Sequence, residues 1–230
     1  WTRTAVSAGL RADERPLVAI LGGNAATEPH SRSLYTGLVV PLSANVFVVE
    51  ANKELIAPLT STLGELGVNL SRVNIVNAMV GASEEKDAKF HTVPSRPVAS
   101  LESTDLLQAV FSLDAIEAHY LVTKVNVQGH SPRGVFEHNG VQLSEISFLT
   151  IDFTTNGSLV EKLFQEPGFS PRVVFYHYTD SHSAHKMTQF MSDLGYDVRH
   201  RGLYCHAFRA SASPFKTCRG APSQQRPRLL

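Results

Sequence analysis

Two glycines and a glutamate are the residues of this chain best suited to bind a small molecule. Leu17 to Leu21 form an unbroken apolar run that ends at Gly22 and Gly23. A second apolar run, Val46 to Val49, ends at Glu50. Ligands of open parallel sheets bind beyond the carboxyl ends of the strands, where glycines admit close approach and an acid binds the two hydroxyls of a ribose. The pattern predicts a site for a nucleoside-containing ligand.

The elements that position these residues alternate between strand and helix. Short continuous apolar runs are typical of strands buried on both faces of a parallel sheet, and apolar residues at three- and four-residue steps predict helices. We expect strands at 17–21, 46–50, 73–80, 120–128, 148–153 and 172–178, and a closing hairpin at 196–209. We expect helices from Pro29 to before Pro41, and at 53–66, 103–120, 158–164 and 185–194. This alternation predicts an α/β fold with a doubly wound, mostly parallel sheet.

Several polar segments show neither the apolar runs of strands nor the apolar spacing of helices, and we predict them to be turns or loops. The charged stretch at 83–89 is expected to be a solvated turn, and residues 91–102, which contain two prolines, a loop. The sequences GHSPRG at 129–134 and EHNG at 137–140 have the composition of turns.

Length and composition favour one large domain over two small ones. The chain has 230 residues, of which 43% are hydrophobic and 18% charged, enough to bury a sizeable core. We expect a lead-in at 1–15, the α/β domain at 16–210 and a disordered basic tail at 211–230.

Charge and cysteine content limit the partners and the compartment. Lys plus Arg and Asp plus Glu both number 21, which gives no global electrostatic case for nucleic acid, although a surface can still be locally basic. Two cysteines argue against a disulfide framework and favour a reducing compartment such as the cytoplasm. No apolar run is long enough to span a bilayer.

The order of these signals resembles the FkbM-type family of S-adenosylmethionine-dependent methyltransferases. Four segments carry the resemblance: AILGGN at 19–24, VVEANKELIAPL at 48–59, VNAMVGASEE at 76–85 and SFLTIDFTTNG at 147–157. DLGYDV at 193–198 is a weaker fifth. The resemblance implies a seven-stranded methyltransferase sheet of the Rossmann-like type, with S-adenosylmethionine as cofactor.

The resemblance also implies roles for particular residues. Gly22, Gly23 and Asn24 would line the methionine end of the cofactor. Glu50 would bind the ribose with Asn52 beside it, and Asn77 and Ala78 would lie near the adenine. Asp152 matches the acid near the transferred methyl group, and the alternative is that it only caps the helix that follows.

His177 is a candidate general base, because it ends a predicted strand and the ordinary pKa of histidine is near 6.5. Together with His182 and His185 it also suggests a metal site, but their spacing matches no standard zinc pattern, and we predict no metal there.

Four departures from the family pattern concern charge and backbone freedom. Ile20 stands where the family has an acid within the first strand, and Ala26 where it has a second glycine. Thr150 replaces a lysine, and Asn156 lies in a segment that replaces an acidic element. Loss of groups facing a zwitterionic cofactor weakens binding, since charge-assisted hydrogen bonds contribute about 1.5–3 kcal/mol each.

Three functions therefore remain open from the sequence. The first is methyl transfer from S-adenosylmethionine to an oxygen or nitrogen of a small molecule or glycan. The second is a protein that keeps the fold without turnover and acts in binding or assembly. The third is an NAD(P)-dependent oxidoreductase, which the ribose acid supports and the absence of G-x-G-x-x-G opposes.

Overall fold

The computed structural model describes residues 15–23, 26, 29–81, 84–92, 99–100, 123–151, 157–177, 181–201 and 204–209. The described strands are β1 (Leu17–Leu21), β2 (Asn45–Glu50), β3 (Val73–Asn77), β4 (Met79–Val80), β5 (Glu85–Thr92), β6 (Ala99–Ser100), β7 (Thr123–His130), β8 (Ile146–Ile151), β9 (Val173–His177), β10 (Tyr196–Arg201) and β11 (Tyr204–Arg209). The described helices are α1 (Pro29–Leu34), α2 (Val40–Leu42), α3 (Lys53–Glu65), α4 (Gly134–Glu137), α5 (Gly157–Gln165) and α6 (Ser181–Asp193). A π-helical turn, Tyr35–Val39, joins α1 to α2, and short 3-10 turns lie at Leu70–Arg72 and Leu143–Glu145.

Seven strands form the central sheet in the order β10-β11-β9-β8-β1-β2-β3. All neighbours from β9 to β3 run parallel, and only β11 is antiparallel to its two neighbours. The strand order reverses direction at β1, which lies between β2 and β8. The predicted doubly wound, mostly parallel α/β sheet is confirmed, and it is Rossmann-like in its topology.

The core has two halves, one on each face of this sheet. Alternate residues of β1 point to opposite faces, so that Ala19 and Leu21 belong to one apolar cluster and Val18 and Ile20 to the other. The first cluster contains residues of α4, α5 and α6, and the second contains residues of the π-helical turn and α3. Helices on both faces explain why the strands read as continuous apolar runs.

A second sheet was not predicted. It has the order β4-β7-β5-β6, with β5 antiparallel to β7 and to β6. The predictions of a turn at 83–89 and of a loop at 91–102 are wrong for the residues described there, because Glu85–Thr92 and Ala99–Ser100 are strands. Glu85–Thr92 pairs with β7, more than thirty residues away. Pairing of the backbone overrides the polar composition of this segment.

Two element boundaries also differ from expectation. The segment at 73–80 is two strands, because the chain leaves the central sheet at Ala78 and joins the second sheet. The helical stretch that begins at Pro29 continues past Pro41 to Leu42. Pro41 stands in the first turn of α2, directly after the π-helical turn. A proline is tolerated in a first turn because the backbone N–H groups there have no partner within that helix.

Some expectations lie outside the described residues. These are nearly all of the lead-in at 1–15, the helix at 103–120 and the tail at 211–230. Within the part of the chain that the structure describes, no helix is long and apolar enough to cross a membrane.

Candidate functional site

The turn after β1 is shaped by two glycines at the carboxyl edge of the sheet. Gly22 has a φ of +84°, in the left-handed region that favours glycine. The backbone N–H groups of Gly22 and Gly23 both donate to the carbonyl oxygen of Val49, at 2.9 and 3.1 Å. The turn is thus fixed to the end of β2, immediately before Glu50.

Gly23 is required by packing within the chain. A Cβ atom at this position would overlap Cγ1 of Val48 and would lie 3.1 Å from Cδ2 of Leu59 and 3.7 Å from Cβ of Glu50. The absence of a side chain therefore lets the β1 turn rest against β2 and α3. It also places the glycine turn in direct proximity to Glu50.

Glu50 ends β2 as a buried acid, with only 6% of its surface exposed. Its Oε1 accepts a hydrogen bond of 2.7 Å from the backbone N–H of Asn52. A carboxylate is acceptor-only when ionised and can accept several hydrogen bonds. The bond from Asn52 fixes the orientation of the carboxylate at the sheet edge.

Asn77 and Ala78 hold the backbone of Glu50 from the neighbouring strand. Nδ2 of Asn77 donates to the carbonyl oxygens of Glu50 at 2.9 Å and of Ala51 at 3.0 Å. The N–H of Ala78 donates to the same Glu50 oxygen at 3.2 Å. The loop between β2 and α3 is thereby tied to the end of β3, and the amide of Asn77 has a structural use of its own.

Asn52 begins α3 as its N-cap residue. Its Oδ1 accepts a hydrogen bond of 3.1 Å from the N–H of Glu54, and the side chain is buried, with 6% of the residue exposed. Capping satisfies one of the four N–H groups that a helix start leaves without a partner. Asn52 therefore fixes both the start of α3 and, through its own N–H, the carboxylate of Glu50.

The second sheet packs beside this edge. Ala88 of β5 and Val127 of β7 form a small apolar cluster, against which Ala51 and Met79 pack. Ala51 directly follows Glu50 in sequence. The second sheet is thus in contact with the loop that carries the buried acid.

The structure describes three of the four residues that depart from the pattern of the resembled family, and all three are buried. Ile20 and Thr150 are buried within the central sheet, 3% and 5% exposed. Ala26 is fully buried and adopts a φ of +52°, a conformation that costs a residue with a Cβ atom about 1–2 kcal/mol. Ala26 therefore takes a backbone conformation suited to the glycine that the resemblance leads one to expect.

The structure brings together most of the residues that the sequence singled out. Gly22, Gly23, Glu50, Asn52, Asn77 and Ala78 surround the carboxyl ends of β1, β2 and β3. Asn24, Asp152 and Asn156 lie outside the described residues. The backbone of His177 ends β9 at the same edge of the parallel sheet, and its side chain is outside the described part of the structure.

A second cluster of functional groups was missed by the sequence analysis. Glu84, His130 and His138 point ligand-type atoms at one another, all within 4.8 Å. Desolvation raises the pKa of Glu84, but hydrogen bonds from Ser131 and His130 outweigh it, so that the pKa lies below its ordinary value. No local spacing signals this cluster, because its members come from three separate segments and meet only in the folded chain.

No family model matches this chain, and no curated protein matches its sequence. Similar solved structures include methyltransferase FkbM from Methylobacillus flagellatus KT, with 13% identity and a TM-score of 0.48, over 84% of this chain and 43% of that one. Precorrin-6y C5,15-methyltransferase from Geobacter metallireducens GS-15 has 10% identity and a TM-score of 0.43, covering 90% and 86% of the two chains.

A third similar structure is an RNA methyltransferase from Salinibacter ruber in complex with S-adenosyl-L-homocysteine. It shows 13% identity and a TM-score of 0.42, over 90% of this chain and 86% of that one. The present chain spans less than half the length of the FkbM structure. Similarities at this level of sequence identity and TM-score concern the overall architecture alone and give no information about ligands or activity.

Proposed function

We propose that this chain binds S-adenosylmethionine at the carboxyl edge of the central sheet and transfers its methyl group to an oxygen or nitrogen of a small molecule or glycan. The observation that carries the proposal is Glu50, a buried acid at the end of β2 whose carboxylate is oriented by Asn52 and lies beside the Gly22–Gly23 turn. An acid in this position suits the two hydroxyls of a ribose.

The residues present fit such a cofactor. Glu50 supplies a charged acceptor for the ribose hydroxyls, and hydrogen bonds to charged groups contribute about 1.5–3 kcal/mol each. The Gly22–Gly23 turn is fixed to the end of β2 beside Glu50, and in this proposal the cofactor approaches its backbone, where no side chain intrudes. In this proposal Asn24 lies with them along the methionine end, and Asn77 and Ala78 border the adenine.

The transfer itself asks the protein mainly to position two reactants. The cofactor supplies an electrophilic methyl group bound to a positively charged sulfur. The chain's residues hold an acceptor atom in line with that methyl group at about 3 Å and exclude water. A hydroxyl acceptor also loses a proton, and we assign this step to Asp152 or His177, which follow or end the neighbouring strands β8 and β9.

The second sheet is our candidate for holding the acceptor. It packs on Ala51 and starts directly after Ala78, so it borders the proposed cofactor site on the side of β3. An acceptor bound between this sheet and the carboxyl edge is a small molecule or glycan in this proposal. The equal numbers of basic and acidic residues, 21 each, give no support to a nucleic-acid acceptor.

One observation favours a second candidate function, a methyltransferase-like protein that binds without turnover. Ile20 and Thr150 are neutral and buried at positions where the resembled family carries charges. Cofactor binding without methyl transfer would support this alternative. An NAD(P)-dependent oxidoreductase would instead bind a nicotinamide cofactor at the same acid.

A turnover experiment tests the proposal. The purified chain is incubated with S-adenosylmethionine labelled in its methyl group and with pools of hydroxyl, amine and glycan acceptors, and label in the products is counted. We expect transfer by the wild type, loss of transfer in Glu50→Ala, and wild-type transfer in Glu65→Ala, which removes an exposed acid at the end of α3. Cofactor binding without transfer to any pool would contradict the enzyme and favour the binding protein.

A further inference from the structure

Three side chains converge at the junction of the second sheet and α4. Glu84 precedes β5, His130 ends β7, and His138 follows α4. Oε2 of Glu84 lies 2.8 Å from Nδ1 of His130 and 3.8 Å from Nδ1 of His138, and the two Nδ1 atoms are 3.2 Å apart. These three atoms therefore form a compact triangle of one carboxylate oxygen and two imidazole nitrogens.

The size of this triangle matches a tetrahedral metal site. Zinc binds histidine nitrogen and carboxylate oxygen at about 2.0–2.2 Å, so that neighbouring ligand atoms of a tetrahedron lie about 3.3–3.5 Å apart. The three observed separations, 2.8, 3.2 and 3.8 Å, fall on both sides of that value. Small side-chain rotations would equalise them around one ion.

Hydrogen bonds among the three side chains do not satisfy all three atoms of this triangle. An ionised Glu84 only accepts, so its 2.8 Å contact requires a proton on Nδ1 of His130. Nδ1 of His138 lies 3.2 Å from Nδ1 of His130, so that one proton is shared among three electronegative atoms. A cation can instead bind a lone pair of each of the three atoms when both rings carry their proton on Nε2.

The carboxylate is held in place by groups that would orient a metal ligand. Oε1 of Glu84 accepts hydrogen bonds of 2.7 Å from both the backbone N–H and the hydroxyl of Ser131, which leaves Oε2 directed at the histidines. Gly134 makes room for it, because a Cβ atom there would overlap the Glu84 carboxylate. Such outer partners typically change metal affinity by about 10–100-fold when they are removed.

We propose that Glu84, His130 and His138 bind a divalent transition-metal ion, with zinc the best match. Two histidines and one glutamate are an established zinc ligand set that leaves the fourth position to water. The ion would clamp the second sheet to α4, whose Val135 and Phe136 belong to the core of the central sheet. This proposal rests on the geometry of the three side chains and not on the proposed methyl transfer.

Its experiment uses the 230-residue chain without an affinity tag. Zinc affinity is measured by competition with a chromophoric chelator, and cobalt is used as a second probe because tetrahedral cobalt absorbs visible light. We expect one zinc ion per chain in the wild type, accompanied by a rise in melting temperature. We expect a loss of affinity of more than about 100-fold in His138→Ala, beyond the effect typical of outer partners.

Two further variants separate metal binding from folding. Gly134→Ala adds only a methyl group, in a helix where alanine is favoured, and we expect it to weaken zinc binding about 10–100-fold by displacing Glu84. His185→Ala removes an exposed histidine of α6 and should bind zinc as the wild type does. Absence of zinc and cobalt binding by the folded wild type, or equal binding by His138→Ala, would overturn the proposal.

Discussion

Ile20 of β1 and Thr150 of β8 are direct partners across the parallel strand pair, and both are buried. Partners in register share one face of the sheet, so their side chains are neighbours. The FkbM-type family that the sequence resembles usually has an acid at the first position and a lysine at the second. In this chain both positions carry neutral side chains, so that neither leaves an unpaired charge in the core.

Because the two side chains are neighbours, we expect substitutions at the two positions to have strongly non-additive effects on the free energy of unfolding. Ile20→Asp or Thr150→Lys alone buries an uncompensated charge, which typically costs about 3–5 kcal/mol. The double variant should recover about 0.5–3 kcal/mol of the summed loss, because the two charges pair. Urea unfolding of the four proteins measures the coupling free energy, and additive losses would show that the two side chains do not interact.

The packing of Gly23 gives a second prediction. Gly23→Ala should lower the free energy of unfolding by about 1–3 kcal/mol, because the new Cβ atom overlaps Val48 and crowds Leu59. Gly64→Ala is the matched control, since its Cβ atom would meet only Leu70 at 3.8 Å within helix α3. We expect the control to stabilise the protein by about 0.5–1 kcal/mol. Equal effects of the two substitutions in chemical denaturation would contradict this packing.

The two uses of Asn52 can be separated by substitution. Asn52→Ala removes the N-cap of α3 and should cost about 0.5–2 kcal/mol of stability, whereas Asn52→Ser keeps a capping oxygen and should cost much less. Neither change removes the backbone N–H that orients Glu50. Thermal unfolding of both variants tests the cap. A serine variant as unstable as the alanine variant would indicate that the amide has another essential contact.

Cys205 supplies a prediction about pH. Burial raises the pKa of its thiol to about 11 from an ordinary value of 9.0, although a hydrogen bond involving Tyr176 acts in the opposite direction. The folded chain therefore keeps the proton between pH 9 and 11 while the unfolded chain loses it, so this contribution to stability is present below pH 9 and lost as the pH rises to 11.

Two measurements check the state of this thiol. At pH 8, peptide mapping after iodoacetamide treatment should find Cys205 unmodified in the native protein and modified in denaturant, since the thiolate is the reactive form. Between pH 9 and 11 the stability of the wild type should fall more steeply than that of Cys205→Ala. Rapid native modification, or equal slopes, would contradict a buried neutral thiol.

The parts of the fold that the sequence predicted are those with strong local patterns. β1 and β2 follow from continuous apolar runs, and α3 follows from apolar residues at helical spacing. The second sheet could not be predicted in this way, because the polar segment Glu85–Thr92 is a strand only through its pairing with β7. The split at Ala78 likewise depends on which sheet each half of the segment joins.

The candidate site was likewise predictable only where local sequence patterns are strong. The positions of Gly22, Gly23 and Glu50 at one edge were predictable, since parallel strands bring their carboxyl ends together. The structural roles of Asn52 and Asn77 could not be predicted. Asn52 caps α3, and Asn77 binds the backbone carbonyls of Glu50 and Ala51, and both roles depend on hydrogen bonds of the folded chain. The Glu84, His130 and His138 cluster has no sequence signal, because 46 residues separate its glutamate from the nearer histidine.

Calorimetric titration with S-adenosylmethionine and S-adenosylhomocysteine tests the proposed cofactor site, with NAD as the control ligand. We expect micromolar binding of both sulfur compounds and none of NAD. We expect at least tenfold weaker binding by Glu50→Ala, since one charged hydrogen bond of about 1.5 kcal/mol already corresponds to about that factor. Glu65→Ala should bind as the wild type does. A folded wild type that binds neither compound, or a Glu50→Ala variant that binds them equally well, would contradict the account.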